Sequence, residues 1–329
     1  MQYARFGNTS MKVSRLCLGT MGFGGPHLPP EACARVVDEA IDHGVNLLDT
    51  AESYGRSEAI LGEVLGEKRD RVFISTKVFT MHTRAQCGRN SRQNILRSAE
   101  DSLARLQTEY IDLYLLHHPD PDTPMDETLL ALDSLVRSGK VRYVGCSNHY
   151  AWQVALMAST AAERGWARPM ANQVCYNILD RPADSEFVPF ARKLNIPIMA
   201  YSPLCGGLLS GLYRPGEPLP AGSAIESRFG GKIRQLHESS VVKGILEGLE
   251  QIAQGQEVSV LQLSLLWLTA KPYVGAVLVG GTRPEHFRPA YEIADRTLPD
   301  EVVAQIDALS QPQVYKPFRN QGFADAPIL

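Results

Sequence analysis

Eight short apolar runs, separated by stretches of helical periodicity, constrain the fold of this chain more than any other feature. They lie at about Leu16–Gly19, Asn46–Asp49, Val72–Lys77, Ile111–Leu116, Tyr143–Cys146, Ala171–Val174, Ile196–Ala200 and Ala276–Val279. Neighbouring parallel strands need a long crossover, so a strand–helix repeat predicts a parallel sheet. The runs show little polar alternation, which is typical of strands covered on both faces. Eight repeats favour an α/β fold closed into a (β/α)8 TIM barrel.

Helical stripes and one extra segment complete this prediction. Ser91 is placed to cap a helix whose apolar stripe begins at Ile95. Met1–Arg15 lies outside the repeat and predicts a β-hairpin that plugs the bottom of the barrel. The Pro/Gly-rich stretch Tyr213–Ser223 follows the seventh run and is interpreted as a loop, with extra helices after it, so one domain spans residues 1–329. A further stripe consists of Cys33, Val36, Val37, Ala40 and Ile41.

Composition limits the partners and the location. The net charge of −3 predicts no nucleic-acid partner, since such proteins usually carry a basic excess. The six cysteines lack CxxC or metal-type spacing, which favours reduced thiols in a reducing compartment. Met1–Arg5 lacks the apolar run of a signal peptide, and no stretch is long and apolar enough to span a membrane. We therefore expect a cytoplasmic protein with no metal and a small-molecule partner.

Four polar residues near strand ends form a candidate catalytic set. Active sites of such barrels lie at the carboxyl ends of the strands. Asp49, Lys77 and His117 end the second, third and fourth runs, and Tyr54 follows Asp49 by five residues. These ends belong to neighbouring strands, so their side chains are expected to meet. A buried Asp–Lys pair alone is more often structural, and a lone histidine more often supports other groups.

Reduction of a carbonyl explains these four residue types together. Hydride addition creates an alkoxide that needs a proton. A free tyrosine, with a pKa of roughly 10, is a weak acid near neutrality, but a nearby ammonium lowers that value. Lys77 supplies the ammonium, Asp49 holds it charged, and His117 orients the carbonyl oxygen. Of the two adjacent histidines we predict His117 as catalytic, because strand alternation sends His118 to the outside of the sheet.

Nucleotide phosphates are expected at two other loops. Gly22-Phe23-Gly24-Gly25 is followed by prolines and opens no helix, so it is not a Rossmann fingerprint. The loops after the seventh and eighth runs occupy the usual phosphate position of such barrels, and Pro284 suits the first turn of a helix. Simple loops are the alternative. Tyr201 is expected to stack on a nicotinamide, and Ser147, Asn148 and Gln173 to hold its carboxamide.

Together these motifs resemble the aldo-keto reductase superfamily, in particular its bacterial and potassium-channel β-subunit branches. The resemblance runs from Tyr3 to about Glu285 and rests on Asn46–Gly55, Ser75–Val78, Tyr110–His117, Val144–Asn148, Asn172–Asn177 and Ala200–Leu204, besides Val13–Met21 and Ser102–Leu106. It implies a barrel that binds NADPH without a Rossmann fold and a tetrad of Asp49, Tyr54, Lys77 and His117. The resemblance and the strand-end positions together give the expected cofactor-binding residues, of which Arg283 is inferred from its charge and position alone: Gly19, Thr20, Met21, Asp49, Ser147, Asn148, Gln173, Tyr201, Ser202, Pro203, Leu204, Gly206, Gly280, Thr282, Arg283 and His286.

One departure and two alternatives accompany the resemblance. The family commonly carries a Glu-Asn pair at the adenosine end, where this chain has Pro289 and Ala290. The alternatives are a nucleotide-sensing subunit that acts through partners and a metal-dependent hydrolase using Asp49, His117 and His118. The sequence does not specify the carbonyl substrate or the oligomeric state. Candidate pocket residues are His82, Arg84, Tyr213, Phe229, Tyr315 and Phe318.

Overall fold

The computed structural model describes residues 1–79, 88–211, 217 and 235–310, and it contains the predicted barrel. Eight parallel strands close into a ring, preceded by a two-stranded hairpin. Numbered along the chain, the strands are β1 (Tyr3–Arg5), β2 (Lys12–Ser14), β3 (Leu16–Gly19), β4 (Leu47–Asp49), β5 (Phe73–Val78), β6 (Ile111–Leu116), β7 (Val141–Ser147), β8 (Pro169–Cys175), β9 (Ile198–Tyr201) and β10 (Val274–Gly280). Strands β3 to β10 pair in chain order, and β10 closes the ring on β3.

Helices follow the strands around the outside of the barrel. Those in the described residues are α1 (Pro30–Asp42), α2 (Ser57–Leu65), α3 (Arg92–Leu106), α4 (Met125–Arg137), α5 (Ala151–Arg164), α6 (Phe187–Leu194), α7 (Ser240–Gly255), α8 (Val260–Thr269), α9 (Arg288–Tyr291) and α10 (Asp300–Leu309). The extra helical segments predicted after the seventh barrel strand are confirmed by α7 and α8 and by a 3-10 helix at Cys205–Ser210. Within the described ranges, no helix combines the length and the apolar character needed to cross a membrane.

Alternate residues of each strand face the inside of the barrel. The interior contains an apolar cluster of Phe6, Met11, Val13, Cys17, Leu47, Leu113, Leu115, Ala171, Met199, Ala276 and Leu278. The hairpin contributes the first three members. Ala4 pairs with Val13 across β1 and β2, and Phe6 is fully buried. The predicted plug at the bottom is therefore confirmed, and it leaves the opposite end of the barrel as the open mouth.

Two local expectations of the sequence are wrong or incomplete. Ser91 occupies the N-cap position of α3, but its hydroxyl makes no capping hydrogen bond and has no partner among the described residues. Helices α2 and α5 were not predicted from apolar periodicity. The buried face of α2 includes the polar Ser57 and Glu58, and α5 leaves Trp152 exposed, so neither helix shows a clean apolar stripe.

Strand parity brings the polar strand ends to the mouth. Leu47 belongs to the interior cluster, so Asp49 two residues later faces inward above it. By the same alternation Lys77 follows Ser75, and Gln173 follows the interior Ala171. These side chains therefore converge at the carboxyl ends of the strands. The candidate pocket residues His82, Arg84, Tyr213, Phe229, Tyr315 and Phe318 lie outside the described residues.

Candidate active site

Asp49, Lys77 and Tyr54 meet at the mouth of the barrel. The ammonium Nζ of Lys77 donates to Asp49 Oδ2 at 2.6 Å and to the backbone oxygen of Thr50 at 2.7 Å. Its third hydrogen bond reaches the hydroxyl of Tyr54 at 3.4 Å. Asp49 and Lys77 are almost completely buried, whereas Tyr54 is half-buried. The predicted set is thus assembled around one ammonium, which has all three of its protons directed at oxygen atoms.

This arrangement keeps Lys77 charged despite its burial. Removal from water alone lowers the pKa of Lys77, but the opposing charges and hydrogen bonds of Asp49 and Tyr54 outweigh it, so the pKa is raised from its ordinary value. The other carboxylate oxygen of Asp49, Oδ1, accepts a 2.8 Å hydrogen bond from Gln173 Nε2. The pair is therefore a buried ion pair whose oxygen and nitrogen atoms are satisfied by neighbours.

Tyr54 is held by a tight loop between β4 and α2. Its amide donates to Ala51 O at 3.0 Å, and its own carbonyl accepts from the Ser57 amide at 3.1 Å. Gly55 has a φ of +58°, which L side chains rarely adopt and glycine tolerates. Glu52, which sequence reasoning missed, accepts the Phe79 amide proton at 3.0 Å and ties this loop to the end of β5. The only available signal was its position inside the Asn46–Gly55 motif.

His117 lies between Tyr54 and Phe79, with its ring edge-on to both. The ring centroids are 5.9 Å from Tyr54 and 5.2 Å from Phe79. Burial first, and then the charges of Lys77 and His118, lower the pKa of His117 to about 2. Its Nδ1 atom has no hydrogen-bond partner among the described residues. The ring is therefore a neutral imidazole at physiological pH and offers one N–H donor at the mouth.

His118 does not lie outside the sheet, and this prediction is wrong. Its ring stacks on that of His117 with a centroid distance of 4.8 Å and an interplanar angle of 1°. Asn148 Nδ2 lies 3.3 Å from His118 Nδ1. Strand β6 ends at Leu116, so the alternation that would have separated the two side chains no longer applies. Both histidines belong to the mouth.

Three neutral histidines near the mouth make stability depend on pH. Burial lowers the pKa of His118 and of His149 to about 4, and that of His117 to about 2. Below about pH 6.5 the histidines of the unfolded chain become protonated, whereas these three histidines of the folded protein stay neutral. The free energy of unfolding is therefore greatest above that pH and falls as the pH drops. We expect a loss of about 1 kcal/mol per histidine between about pH 7.5 and 5.5, measured by urea unfolding.

His149→Asn is the matched variant for this pH dependence. His149 Nδ1 donates to Ser147 O at 2.8 Å, and an asparagine amide can make the same bond without titrating. The variant should lose about 1 kcal/mol less than the wild type over the same pH interval. An unchanged slope would show that His149 is not a neutral residue in the folded protein.

A connected set of amides and hydroxyls lines the adjacent part of the mouth. Ser147 Oγ donates to Gln173 O at 2.8 Å, and Asn148 Nδ2 donates to Ser147 Oγ and to His117 O, both at 3.0 Å. Tyr201 donates its hydroxyl proton to Asn148 Oδ1 at 2.8 Å. Burial raises the pKa of Tyr201, so it stays protonated as this donor. The structure thus brings the three residues that the sequence assigned to a carboxamide, Ser147, Asn148 and Gln173, together with Tyr201, which was expected to stack on the nicotinamide.

The first candidate phosphate loop follows β9 and is built from residues in unusual backbone conformations. Ser202 and Cys205 have positive φ angles of 53° and 49°, and Gly206 has a φ of 65°. Non-glycine residues with positive φ are uncommon and cluster at functional sites. Pro203 is buried and Leu204 is half-buried, so the loop turns tightly against the barrel.

The second candidate phosphate loop follows β10 and is more exposed. The Thr282 amide donates to His286 Nδ1 at 3.3 Å, and the Arg283 guanidinium is 54% exposed beside Glu285. Pro284 begins a helix as expected, although it is only the three-residue 3-10 helix Pro284–His286. Its few aligned peptide units give a weaker terminal dipole, so Arg283 is the main positive charge of this loop.

The remaining predicted residues lie in the loop that follows β3, at the end of β10 and at Pro289 and Ala290. Gly19 ends β3, Thr20 is buried with its hydroxyl on Asp49 O at 2.9 Å, and Met21 is 44% exposed. Gly280 ends β10 beside Gly19. Of the two residues that depart from the family's pair, Pro289 accepts with its backbone oxygen from Gln262 Nε2 at 3.1 Å, and Ala290 is fully buried.

No group of three His, Cys, Asp or Glu side chains in the described part of the chain is arranged to hold a metal ion. Asp49 and His117 belong to the metal-dependent alternative, yet both oxygens of Asp49 already accept from Lys77 and Gln173. The arrangement instead combines a charged ammonium, a phenol and a neutral imidazole. Such a site can deliver a proton to a polarised oxygen.

Comparison with known proteins agrees with this geometry. The model of the aldo/keto reductase family matches residues 15–311. The chain is 33% identical over 321 residues to the uncharacterized oxidoreductase YrpG of Bacillus subtilis (strain 168), covering 93% of this chain and 95% of that protein. It is 31% identical over 333 residues to a probable voltage-gated potassium channel subunit beta of Arabidopsis thaliana, covering 98% and 100%. It is 29% identical over 333 residues to the aldo-keto reductase YhdN of Bacillus subtilis (strain 168), covering 96% of each.

Proposed function

The chain belongs to the aldo/keto reductase family of oxidoreductases, and from that premise we propose that it is an NADPH-dependent enzyme that reduces small aldehydes or ketones to alcohols, with Tyr54 as the general acid. The observation that carries the proposal is the 3.4 Å hydrogen bond from Lys77 Nζ to the Tyr54 hydroxyl, backed by the buried Asp49 carboxylate at 2.6 Å. A phenol whose conjugate base faces a fixed ammonium is a stronger acid than tyrosine in water.

Each residue of the tetrad has one task in this proposal. A nicotinamide held at the mouth would supply the hydride. Tyr54 gives its hydroxyl proton to the carbonyl oxygen as negative charge develops there. Lys77 stabilises the phenolate that remains, and Asp49 holds Lys77 in place. His117, as a neutral imidazole, donates its single N–H to the carbonyl oxygen and orients it without repelling Lys77.

Several features of the mouth support a dinucleotide as the cofactor. The amides of Asn148 and Gln173, with the Ser147 hydroxyl, offer donors and acceptors that suit a carboxamide. The loops that follow β3 and β10 approach so closely that a Cβ on Gly22 would lie 2.4 Å from Gly281 O. In the proposal, the backbone amides of Ser202, Leu204, Gly206 and Gly281 hold the pyrophosphate. Arg283 and His286 would hold the additional phosphate that distinguishes NADPH from NADH.

Arg283→Ala tests the preference for NADPH. A charge-assisted hydrogen bond to a phosphate is worth about 1.5–3 kcal/mol, so the Kd for NADPH should rise about 10- to 100-fold while that for NADH changes less than about twofold. Nicotinamide fluorescence measures both values. Arg296→Ala is the matched control, because Arg296 binds Gln256 O away from this loop, and it should alter neither Kd. Equal weakening of both cofactors would contradict the assignment of Arg283.

Steady-state oxidation of NADPH in the presence of a panel of aldehydes and ketones tests the proposed activity directly. Sustained turnover with formation of the alcohol supports it, and binding without turnover across the panel contradicts it. The potassium channel subunit named among the relatives favours a second candidate, a nucleotide-sensing subunit with weak turnover. That candidate predicts tight NADPH binding with only single-turnover oxidation. A cytoplasmic location and a single domain over residues 1–329 remain predictions from the sequence.

A further inference from the structure

The second histidine of the mouth contacts a cofactor-binding residue and a catalytic residue at once. His118 stacks face to face on His117, and its Nδ1 atom lies 3.3 Å from the Asn148 side-chain amide. Phe79 packs edge-on against both rings, at 5.2 Å from His117 and 5.6 Å from His118. His118 is partly exposed at the mouth rather than part of the apolar core. No other described histidine adjoins two members of the site in this way.

The hydrogen bonds around Asn148 determine which way its side chain points. Asn148 Nδ2 faces the backbone oxygen of His117, which can only accept, so this end of the amide must be the NH2 group. The same NH2 group lies 3.3 Å from His118 Nδ1 and donates to it when that nitrogen is unprotonated. Burial, followed by the charges of Arg89 and Lys77, lowers the pKa of His118 to about 4, which agrees with a neutral ring.

This orientation decides what Asn148 can offer a ligand. Its NH2 group has three acceptors within reach, on His117, His118 and Ser147, and only two protons to share among them. The oxygen Oδ1 accepts one proton from Tyr201 and keeps a second lone pair. Asn148 therefore presents an acceptor, which suits the NH2 end of a carboxamide. Asn148 also has a φ of +61°, in the left-handed region that non-glycine residues seldom adopt.

We propose that His118 is a positioning residue that acts on both halves of the reaction, orienting the Asn148 carboxamide through Nδ1 and the His117 imidazole through its ring face. This inference rests on the proposed function, because Asn148 matters to the reaction only when it binds the nicotinamide carboxamide. The two contacts use different properties of the imidazole. One needs an acceptor nitrogen at the δ position, and the other needs a flat aromatic surface.

Two substitutions separate these properties. His118→Phe keeps an aromatic ring against His117 and removes the acceptor for Asn148. His118→Asn places an amide oxygen near the former Nδ1 position and removes the aromatic face. A residue that merely fills space would respond to size alone, so both variants would then change the same parameter.

The expected results differ in kind for the two variants. In His118→Phe the Kd for NADPH should rise about 5- to 10-fold, the effect of one lost orienting hydrogen bond, with kcat at saturating NADPH within about twofold of the wild type. In His118→Asn the Kd should stay within about twofold, while kcat falls about 3- to 10-fold with the lost ring contact. His43→Asn is the matched control, because His43 also stacks on a ring, that of Tyr291 at 4.8 Å, away from the tetrad. It should change neither parameter.

A measurement without cofactor separates this inference from the proposed function. Nitrogen-15 NMR of histidine-labelled wild-type protein should show His118 as the Nε2–H tautomer, with Nδ1 unprotonated and hydrogen-bonded. If wild-type protein does not bind NADPH, the proposed function fails, and the tautomer still decides the contact with Asn148. A proton on His118 Nδ1 overturns the inference. A common effect of His118→Phe and His118→Asn on the same parameter, or no effect of either, overturns it as well.

Discussion

Replacing Tyr54 with phenylalanine should lower kcat/KM for carbonyl reduction by about 10²- to 10⁴-fold, the range in which general acids contribute. Phenylalanine keeps the ring that packs edge-on against His117 at 5.9 Å and removes the hydroxyl 3.4 Å from Lys77 Nζ. Lys77 keeps its bonds to Asp49 and Thr50, so the buried ion pair survives. The Kd for NADPH, measured by fluorescence, should therefore stay within about twofold.

Tyr143→Phe is the matched control for this result. Tyr143 is also a partly buried tyrosine, but its hydroxyl lies 3.2 Å from Ser10 Oγ on the hairpin side of the barrel. Its loss should leave kcat/KM within about twofold, because no group at the mouth depends on it. If Tyr54→Phe kept most of the wild-type turnover, another group would have to donate the proton and the assignment of Tyr54 would fall.

The barrel was predictable from the eightfold strand–helix repeat, and its polar mouth from the polar residues at the strand ends. Apolar runs such as Ile111–Leu116 matched the observed strand, and the two-residue alternation brought Asp49, Lys77 and Gln173 to the same side. The same rule gave the wrong position for His118. Alternation holds only while the backbone stays extended, and β6 ends one residue before His117. Residues just beyond a strand therefore need coordinates before a face can be assigned.

Other parts of the site depend on contacts between segments far apart in the chain. Glu52 binds the Phe79 amide across two loops, and Gln173 reaches Asp49 from a strand 124 residues away. Periodicity within one segment carries no information about such pairs. Helix α2 was missed for a related reason. Its buried Glu58 is compensated by Thr76 Oγ1 at 2.6 Å and Arg105 Nε at 2.7 Å, so a polar residue occupies a position that the pattern would assign to solvent.

Asp49 connects the proposed catalytic and cofactor-binding sides of the mouth. One of its oxygens binds Lys77 and the other binds Gln173, whose backbone oxygen accepts from Ser147. We therefore expect that loss of the Lys77 charge affects the stability of the protein as well as proton transfer. A buried carboxylate without its partner is costly, whereas replacing both charges by neutral groups is tolerated far better. This contrast allows the energetic and chemical roles of the ion pair to be measured separately.

Lys77→Met should lower both stability and turnover. Methionine fills a similar volume but leaves Asp49, which is 1% exposed, as an uncompensated buried charge. The free energy of unfolding in urea should fall by about 3–5 kcal/mol. Turnover should fall by about 10²- to 10⁴-fold, since Tyr54 then lacks the ammonium that makes it acidic.

Asp49→Asn combined with Lys77→Met separates the two effects. The double variant buries no charge, so it should recover about half or more of the lost stability, and the coupling between the two sites should appear in the double-mutant cycle. It still lacks the ammonium beside Tyr54, so its turnover should stay as low as that of Lys77→Met. Recovery of turnover together with stability would mean that Lys77 acts only through packing. A Lys77→Met variant as stable as the wild type would mean that Asp49 without its partner is not a costly buried charge, and the ion pair would then not stabilise the mouth.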